Sequence, residues 1–400
     1  MNNQHASPKS KKLLTNRQAL LFTLGIIFIA TILRTPLTVV GPIISFIQAD
    51  LHISYVLAGF LTTIPLLAFA VVSPFTPKVA RRIGMEKTLF FSVILLAIGV
   101  LLRSFGNVSM LLIGTLLIGI AIAFGNVLIP GYFKMKYPLH IGLLMGIYTV
   151  SMNLSAGLGA GVSHGIASSS FGWQGALGFS IVLALLTLLA WIPIMHDTKI
   201  EMAAPANLAP TKALWKVPLA WAVALTMGLQ SFIFYCSSAW IPEIFIAQGM
   251  DESLAGWMMS LNQMAQIPMT FFIPIIASKL RSQRPIVVFF AICYIASFIG
   301  IYFEWTSLAA LWMILLGFAG GASFGLCMML FTLRTHTAHE AANLSGFAQS
   351  VGYLLAASGP VLFGSLHELF GNWDIPVLAF LAVSILLTIA AWISAQKRFI

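Results

Sequence analysis

The sequence predicts an all-α membrane protein whose twelve transmembrane helices form two pseudo-symmetric six-helix bundles. Three observations predict it. The 400 residues are 59% hydrophobic and only 8% charged, with a mean hydropathy of +0.96, whereas a soluble globule carries about 25% charged residues. Apolar runs of spanning length recur along the chain, and the two halves of the chain correspond in register.

A hydrocarbon core about 30 Å thick takes roughly twenty apolar helical residues. Runs of that kind fall at 19–47, 54–77, 88–102, 108–133, 139–164, 174–195, 216–247, 253–277, 286–303, 308–333, 341–366 and 375–395. The first places Arg34 near its midpoint, followed by Pro36 and the Gly41-Pro42 pair. A guanidinium there is too deep to snorkel to either surface and costs at least about 2.5–3.5 kcal/mol. The prolines remove backbone donors and clash with the preceding turn, so this helix is expected to bend beside the charge. Arg34 either meets a polar or negative solute or caps the carbonyls that the prolines free.

The loop charges test the topology. With an even number of spans and a basic amino-terminal tail (1–18), both termini share the cytoplasmic side. Lys78, Arg81, Arg82, Lys87, Lys134, Lys136, Lys199, Lys212, Lys216, Lys279, Arg281, Arg284, Arg334, Lys397 and Arg398 then fall inside. Outside lie Asp50, Glu243, Asp251, Glu252, Glu304, Glu368 and Asp374, with Arg103 the one basic exception. The net charge of +10 is therefore topology obeying the positive-inside rule and no footprint of a nucleic-acid partner. Arg34 remains as the one basic residue expected in the membrane interior.

The stretch 196–214 breaks the apolar pattern with Asp197, Lys199, Glu201, Pro205 and Pro210 and reads as a cytoplasmic linker. It separates a first bundle (19–195) from a second (215–396), with 397–400 as a cytoplasmic end. An offset of 200 superimposes Gly125 on Gly325, Lys134 on Arg334, Gly146 on Gly346, Gly159 on Gly359 and Trp173 on Trp373. Two same-direction six-helix repeats joined by a linker are the organisation of the major facilitator fold, in which the pathway runs between the halves.

Cys236, Cys293 and Cys327 lie in apolar stretches without paired spacing and read as core residues. No triad, phosphate loop, cofactor motif or metal spacing stands out, and the His336/His339 pair reads as solvated loop residues. The informative side chains are polar ones inside spans: Asn126 in the fourth, Asn153 in the fifth, Gln230 and Tyr235 in the seventh, Asn262, Gln263 and Gln266 in the eighth, and Gln349 and Tyr353 in the eleventh. The third, sixth, ninth and twelfth runs carry no interior amide and are expected to be lipid-facing supports. Thr149 with Asn153, Asn262 with Gln266, and Gln349 with Tyr353 stand four apart and share helix faces. A cavity of amides, phenols and one arginine suits a small polar or anionic solute; the plainer role of each amide is an interhelical hydrogen bond.

The stretches LRTPLTVVGPI (33–43), GLQSFIFYCSSAWIPEI (228–244) and LSGFAQSVGYLLAASGP (344–360) resemble the cyanate porter family of major facilitator transporters, which includes the nitroimidazole transporters. The resemblance runs over nearly the whole chain. It carries the helix-1 arginine and later proline onto Arg34 and Pro42, the helix-7 pair onto Gln230 and Tyr235, and the helix-11 pattern onto Gln349, Gly352 and Tyr353. It implies alternating access for a small anion or azole in the cytoplasmic (inner) membrane of a bacterium. The loop after the second span departs from the superfamily pattern, with Arg81 where an acidic residue is typical. The usual inner-gate charge network is therefore not expected, and no intramembrane carboxylate is present for classical proton antiport.

The expected protein is thus a monomeric secondary transporter in a lipid bilayer, with no enzymatic activity, no cofactor, and a proton or ion as the open question of coupling. Its solute is anchored near the midplane by Arg34 and oriented by Asn126, Asn153, Gln230, Tyr235, Asn262, Gln266, Gln349 and Tyr353. The rival is a proton-linked drug or metabolite exporter with an apolar pocket built from Phe232, Phe234, Met264 and Met269, in which Arg34 is structural.

Overall fold

The computed structural model describes residues 16–53, 55–196 and 213–400. The expected tail through residue 15 and the core of the expected linker, 197–212, lie outside the described residues.

The first apolar run is broken where its prolines require it. Helix α1 (Asn16–Ile32) stops at the residue whose carbonyl the Pro36 ring would strike, and a turn at 33–34 leads into α2 (Thr35–Thr38), a 3-10 turn (Gly41–Ile43) and α3 (Ile44–Leu51). Arg34 sits at the break, in the N-cap position of α2. The second run also bends: α4 (Tyr55–Val72) meets α5 (Thr76–Ile83) at 62° instead of continuing straight to residue 77. Pro74 and Pro77 supply no backbone donors across that junction. Helix α5 exposes Lys78, Arg81 and Arg82.

The remaining helices follow the apolar runs within a few residues. They are α6 (Met85–Arg103), α7 (Val108–Lys136), α8 (Ile141–Ala167), α9 (Gly172–Gly178), α10 (Ser180–His196), α11 (Pro218–Ala247), α12 (Glu252–Lys279), α13 (Arg284–Tyr302), α14 (Ala309–Leu333), α15 (Ala338–Phe370) and α16 (Asp374–Ser394). Local chemistry sets several ends. Asn107 accepts the Met110 N–H at 2.8 Å to start α7, and a reciprocal Thr337/Glu340 capping box starts α15. Gly371, at φ 69°, closes α15 in the left-handed region.

Among the described residues, ten stretches are long and apolar enough to cross a membrane, and the bent α4–α5 pair makes an eleventh. The twelfth expected span is α12, 28 residues long, whose apolar character is diluted by Asn262, Gln263 and Gln266. Two outer seams join helices before residue 196 to helices after 213: α8 packs on α12, and α15 packs on α4 and α7. Successive spans alternate in direction. The basic turns after α4, α7, α12 and α14 therefore share one end of the molecule, and the acidic turns after α3, α11, α13 and α15 share the other.

One expectation needs correction. Arg103 does not sit in solvent at the acidic end: it is 1% exposed, and its Nη1 donates to the Pro36 carbonyl at 2.7 Å while Nη2 reaches the Leu177 carbonyl at 3.5 Å. A long side chain at a helix end has turned back into the protein. Arg34 is thus not the sole basic residue of the interior, and Arg103, rather than Arg34, binds a carbonyl at the first-span break.

Candidate solute site between the helix seams

A cavity of about 590 Å³, counting the solvent-filled space at its mouth, opens at the α1–α2 break. Arg34, Asn153, Gln230, Tyr235, Asn262, Gln266 and Tyr353 all line it. These come from five separate parts of the chain, which makes a common cavity a strong constraint on the fold. Two of the expected site residues lie elsewhere. Asn126 accepts the Tyr148 hydroxyl at 3.1 Å, and its backbone carbonyl accepts Gln349 Nε2 at 3.0 Å, so the pair bridges α7 to α15 on the basic side of the cavity.

The amides that line the cavity differ in what they offer. Gln266 Nε2 donates to Asn262 Oδ1 at 3.1 Å and Gln263 Oε1 at 2.8 Å, while Asn262 Nδ2 donates to the Met313 carbonyl at 3.1 Å. Gln230 Nε2 donates to Ser231 Oγ at 2.7 Å and to the Met227 carbonyl at 3.2 Å. Asn262 thus ties α12 to α14, while the Gln266 and Gln230 amide nitrogens are already occupied within their own helices. By contrast, Asn153 Nδ2 and Ser237 Oγ are buried without a hydrogen-bond partner, and both residues line the cavity. A buried unpaired donor costs about 1–3 kcal/mol, so these atoms are poised to gain from an incoming acceptor.

Arg34 is half-buried and faces aromatic groups rather than a counter-ion. Its guanidinium carbon stands 5.4 Å from the Phe234 ring centroid, its side chain meets the Tyr235 hydroxyl, and its charge reaches Tyr148 and Tyr353. Among the described residues no Asp, Glu or His lines the cavity. The result is a site with one fixed positive charge, several hydroxyl and amide donors, and an apolar wall of Phe234, Met259, Leu316 and Phe324. Of the apolar set named for the rival pocket, Phe234 lines the cavity, while Phe232 is buried against Phe363 and Met264 is 66% exposed.

Sequence reasoning missed Tyr294. It belongs to α13, expected to be a lipid-facing support, yet it lines the cavity and shares a 3.0 Å hydrogen bond with Ser323. A phenol within an otherwise apolar span was the available signal.

The seams flanking the cavity are closed at one end. On the basic side a Cβ at Gly146 would lie 2.6 Å from the Phe271 carbonyl oxygen, and one at Gly346 would lie 2.6 Å from that of Ser73. Thr149 Oγ1 donates to the Thr270 carbonyl at 2.6 Å, and Lys134 Nζ donates to the Thr332 carbonyl at 2.6 Å, Thr335 Oγ1 at 3.0 Å and the Thr335 carbonyl. Farther along the same face of α8, Gly157 and Gly161 have nothing within 4 Å of a Cβ, and neither does Gly256 on α12. The cavity therefore opens toward the acidic end.

Residues 25–360 match the Major Facilitator Superfamily. The chain is 43% identical over 395 residues, 98% of its length and 97% of the relative's, to the uncharacterized transporter YycB of Bacillus subtilis (strain 168). It is 38% identical over 376 residues, covering 94% of this chain and 95% of the relative, to the 2-nitroimidazole transporter of Escherichia coli (strain K12). Among solved structures, the proton:xylose symporter XylE bound to 6-bromo-6-deoxy-D-glucose superimposes with a TM-score of 0.78 at 14% identity, over 95% of this chain and 98% of that one. The likeness to XylE supports the fold alone. With a cavity between helix seams closed at one end and a match over most of its length, the chain belongs to the major facilitator superfamily, as a multi-pass membrane transporter of small solutes in the cyanate porter and nitroimidazole transporter family.

Proposed function

We propose that this transporter moves a small anionic or acceptor-rich solute, of the size of cyanate or a nitroimidazole, by alternating access across a bacterial cytoplasmic membrane. The observation that carries this reading is the Arg34 guanidinium, set at a helix break in the cavity that Tyr235 and the Asn153 amide with its unpaired nitrogen also line, with no carboxylate lining it among the described residues. At an effective dielectric near 20, an ion pair at contact is worth about 4 kcal/mol before desolvation. That is enough to select a negative solute and weak enough to let it go. The apolar wall of Phe234 and Phe324 suits a planar ring, which accords with the relative that is named a 2-nitroimidazole transporter.

The basic end faces the cytoplasm under the positive-inside rule, with both termini there, so the described state opens outward. Transport then requires the α8–α12 and α4–α15 seams to part at the basic end and close at the other. Among the described residues no carboxylate or histidine lines the cavity, which favours a coupled proton, if there is one, carried by the solute or by a group outside the site. The rival reading, a proton-linked drug or metabolite exporter, draws on the same apolar wall and makes Arg34 structural.

Thermal-shift measurements on purified protein with cyanate, nitrite, small carboxylates and nitroimidazoles test this. A solute that stabilises the wild type, fails with Arg34→Gln and recovers in part with Arg34→Lys is the expected outcome. Bulky apolar hits indifferent to Arg34→Gln would transfer the assignment to the rival.

A further inference from the structure

The structure contains a buried arginine that the solute does not explain. Arg103, the last residue of α6, is 1% exposed, and no carboxylate pairs with it among the described residues. Its Nη1 donates to the Pro36 carbonyl at 2.7 Å and its Nη2 to the Leu177 carbonyl at 3.5 Å. Pro36 lies in the short helix α2, which ends at Thr38, so its carbonyl falls in a last turn that has no intrahelical donor to offer. Helix α7 makes room for this arrangement: a Cβ at Gly114 would lie 2.6 Å from the Arg103 backbone nitrogen.

Two further contacts hold the same piece of the first span to its own neighbours. Thr35 Oγ1 donates to the Ser155 carbonyl at 3.4 Å, and Gly159 leaves space for the Thr35 methyl. Past the 3-10 turn, Asp50 of α3 accepts Trp173 Nε1 at 2.8 Å and Gln174 Nε2 at 3.4 Å. Thus the segment after Arg34 is tied to α6, α8 and α9, and the strongest donor in that set is Arg103 at Pro36, two residues from Arg34.

We propose that Arg103 is a positioning residue for the solute site: by holding the Pro36 carbonyl it fixes the path of the chain through the proline-made break at 33–34 and so keeps the Arg34 guanidinium in the cavity. This rests on Arg34 as the solute anchor. Arg103 touches no solute and acts through α2 alone. The physical logic is that a proline-broken helix in a membrane must satisfy its freed carbonyls internally. A fixed cation that does so also sets the direction in which the chain leaves the break.

The test uses full-length protein in detergent, with Arg103→Met as the unbranched, uncharged variant and Arg103→Lys as the conservative one. Two readouts are taken: hydrogen–deuterium exchange of residues 33–42, which needs no ligand, and affinity for 2-nitroimidazole and cyanate. In Arg103→Met, exchange over 33–42 is expected to rise at least tenfold while α14 is unchanged, and the affinity of whichever probe binds wild type to fall about tenfold. Arg103→Lys, with one donor in reach, recovers part of both. In an Arg34→Gln background, Arg103→Met weakens binding no further, because the two residues act in series.

Unchanged exchange over 33–42 overturns the proposal, as does a lower melting temperature with unaltered affinity, which marks a merely structural cation. If Arg103→Met does not fold, the same readouts on Arg103→Lys decide. If neither probe binds wild type, or if Arg34→Gln binds as wild type does, the anchor reading falls, and exchange at 33–42 alone judges whether Arg103 fixes the break.

Discussion

The two ends of the α8–α12 seam are built from similar residues and behave in opposite ways. Both carry glycines on the face that α8 turns toward α12, yet Gly142 and Gly146 press on Pro274 and Phe271 while Gly157 and Gly161 face open space. The difference lies in what accompanies the glycines. At the basic end, hydroxyls and a lysine donate to carbonyls of the other half: Thr149 to Thr270 across this seam, Ser350 of α15 to Ala70 of α4, and Lys134 of α7 to Thr332 and Thr335 at the end of α14. No ion pair crosses there among the described residues; Glu86 pairs with Lys136 at 3.1 Å within the first half. Small residues let the backbones touch, and side chain-to-carbonyl hydrogen bonds, each of modest worth in a membrane, hold a contact that must be broken in every cycle.

The largest test of this contrast is steric. A leucine at Gly146 cannot fit 2.6 Å from a carbonyl oxygen, so Gly146→Leu should wedge the basic end open. With Ala342→Cys as a reporter, whose parent alanine is 1% exposed in the α7–α15 contact, alkylation should accelerate by tens of fold. Gly157→Leu, placed in open space, should leave Ala342→Cys protected and instead block closure of the acidic end, abolishing solute turnover while binding persists. Equal labelling of Ala342→Cys in both variants would mean that the two ends are not alternatives.

A smaller effect belongs to Lys134. Its ammonium donates into the carbonyls that end α14, where the helix dipole also favours a cation. Its repeat mate Arg334 turns instead within the second half, donating to the Ser394 carbonyl at 2.6 Å and to Gln283. Burial pulls the Arg334 guanidinium down to about 10, which leaves it charged at neutral pH. Hydrogen bonds to charged groups contribute about 1.5–3 kcal/mol. Lys134→Met should therefore raise Ala342→Cys alkylation about tenfold, while Arg334→Met should lower the melting temperature and leave the labelling ratio between the ends as it was. The reverse result would place the latch on Arg334.

The spans, the break at Arg34 and most of the polar side chains of the cavity were legible because each rests on local chemistry. An apolar run, a proline four residues beyond a helix end and a lone charge in hydrocarbon are visible without knowing what packs against them. Arg103 was misread for the opposite reason: it sits at the end of a run, where a charge normally enters water, and only the three-dimensional path of Pro36 reveals its partner. The amides show a third case. Asn153 and Gln266 are alike as sequence, but one has an unpaired donor in the cavity and the other is bonded twice along its own helix. Four-residue spacing put Asn262 and Gln266 on one lining face, but it did not tell that Gln349, four before the lining Tyr353, bonds the Asn126 carbonyl instead, nor whether a neighbour already fills an amide's donors. Tyr294 was excluded by its helix, since a support helix was judged by its average composition and not by the phenol in its interior.

The weakest element of the closed end gives the finest test. Thr149 Oγ1 has one hydrogen and three carbonyls in range, Met145 at 2.8 Å, Gly146 at 3.2 Å and Thr270 at 2.6 Å. The shortest contact crosses the seam, so the hydroxyl favours the closed basic end only by the difference between that acceptor and the two in its own helix. Interhelical hydrogen bonds in membranes average about 0.6 kcal/mol, or about threefold in an equilibrium. Thr149→Val keeps the shape and removes the hydrogen; Ala342→Cys alkylation should rise about threefold and return to the parent rate in Thr149→Ser. A tenfold or larger rise would mean that the Thr270 carbonyl, once deserted, draws water into the seam, and that the basic end is held shut chiefly by dryness instead of by the sum of its bonds.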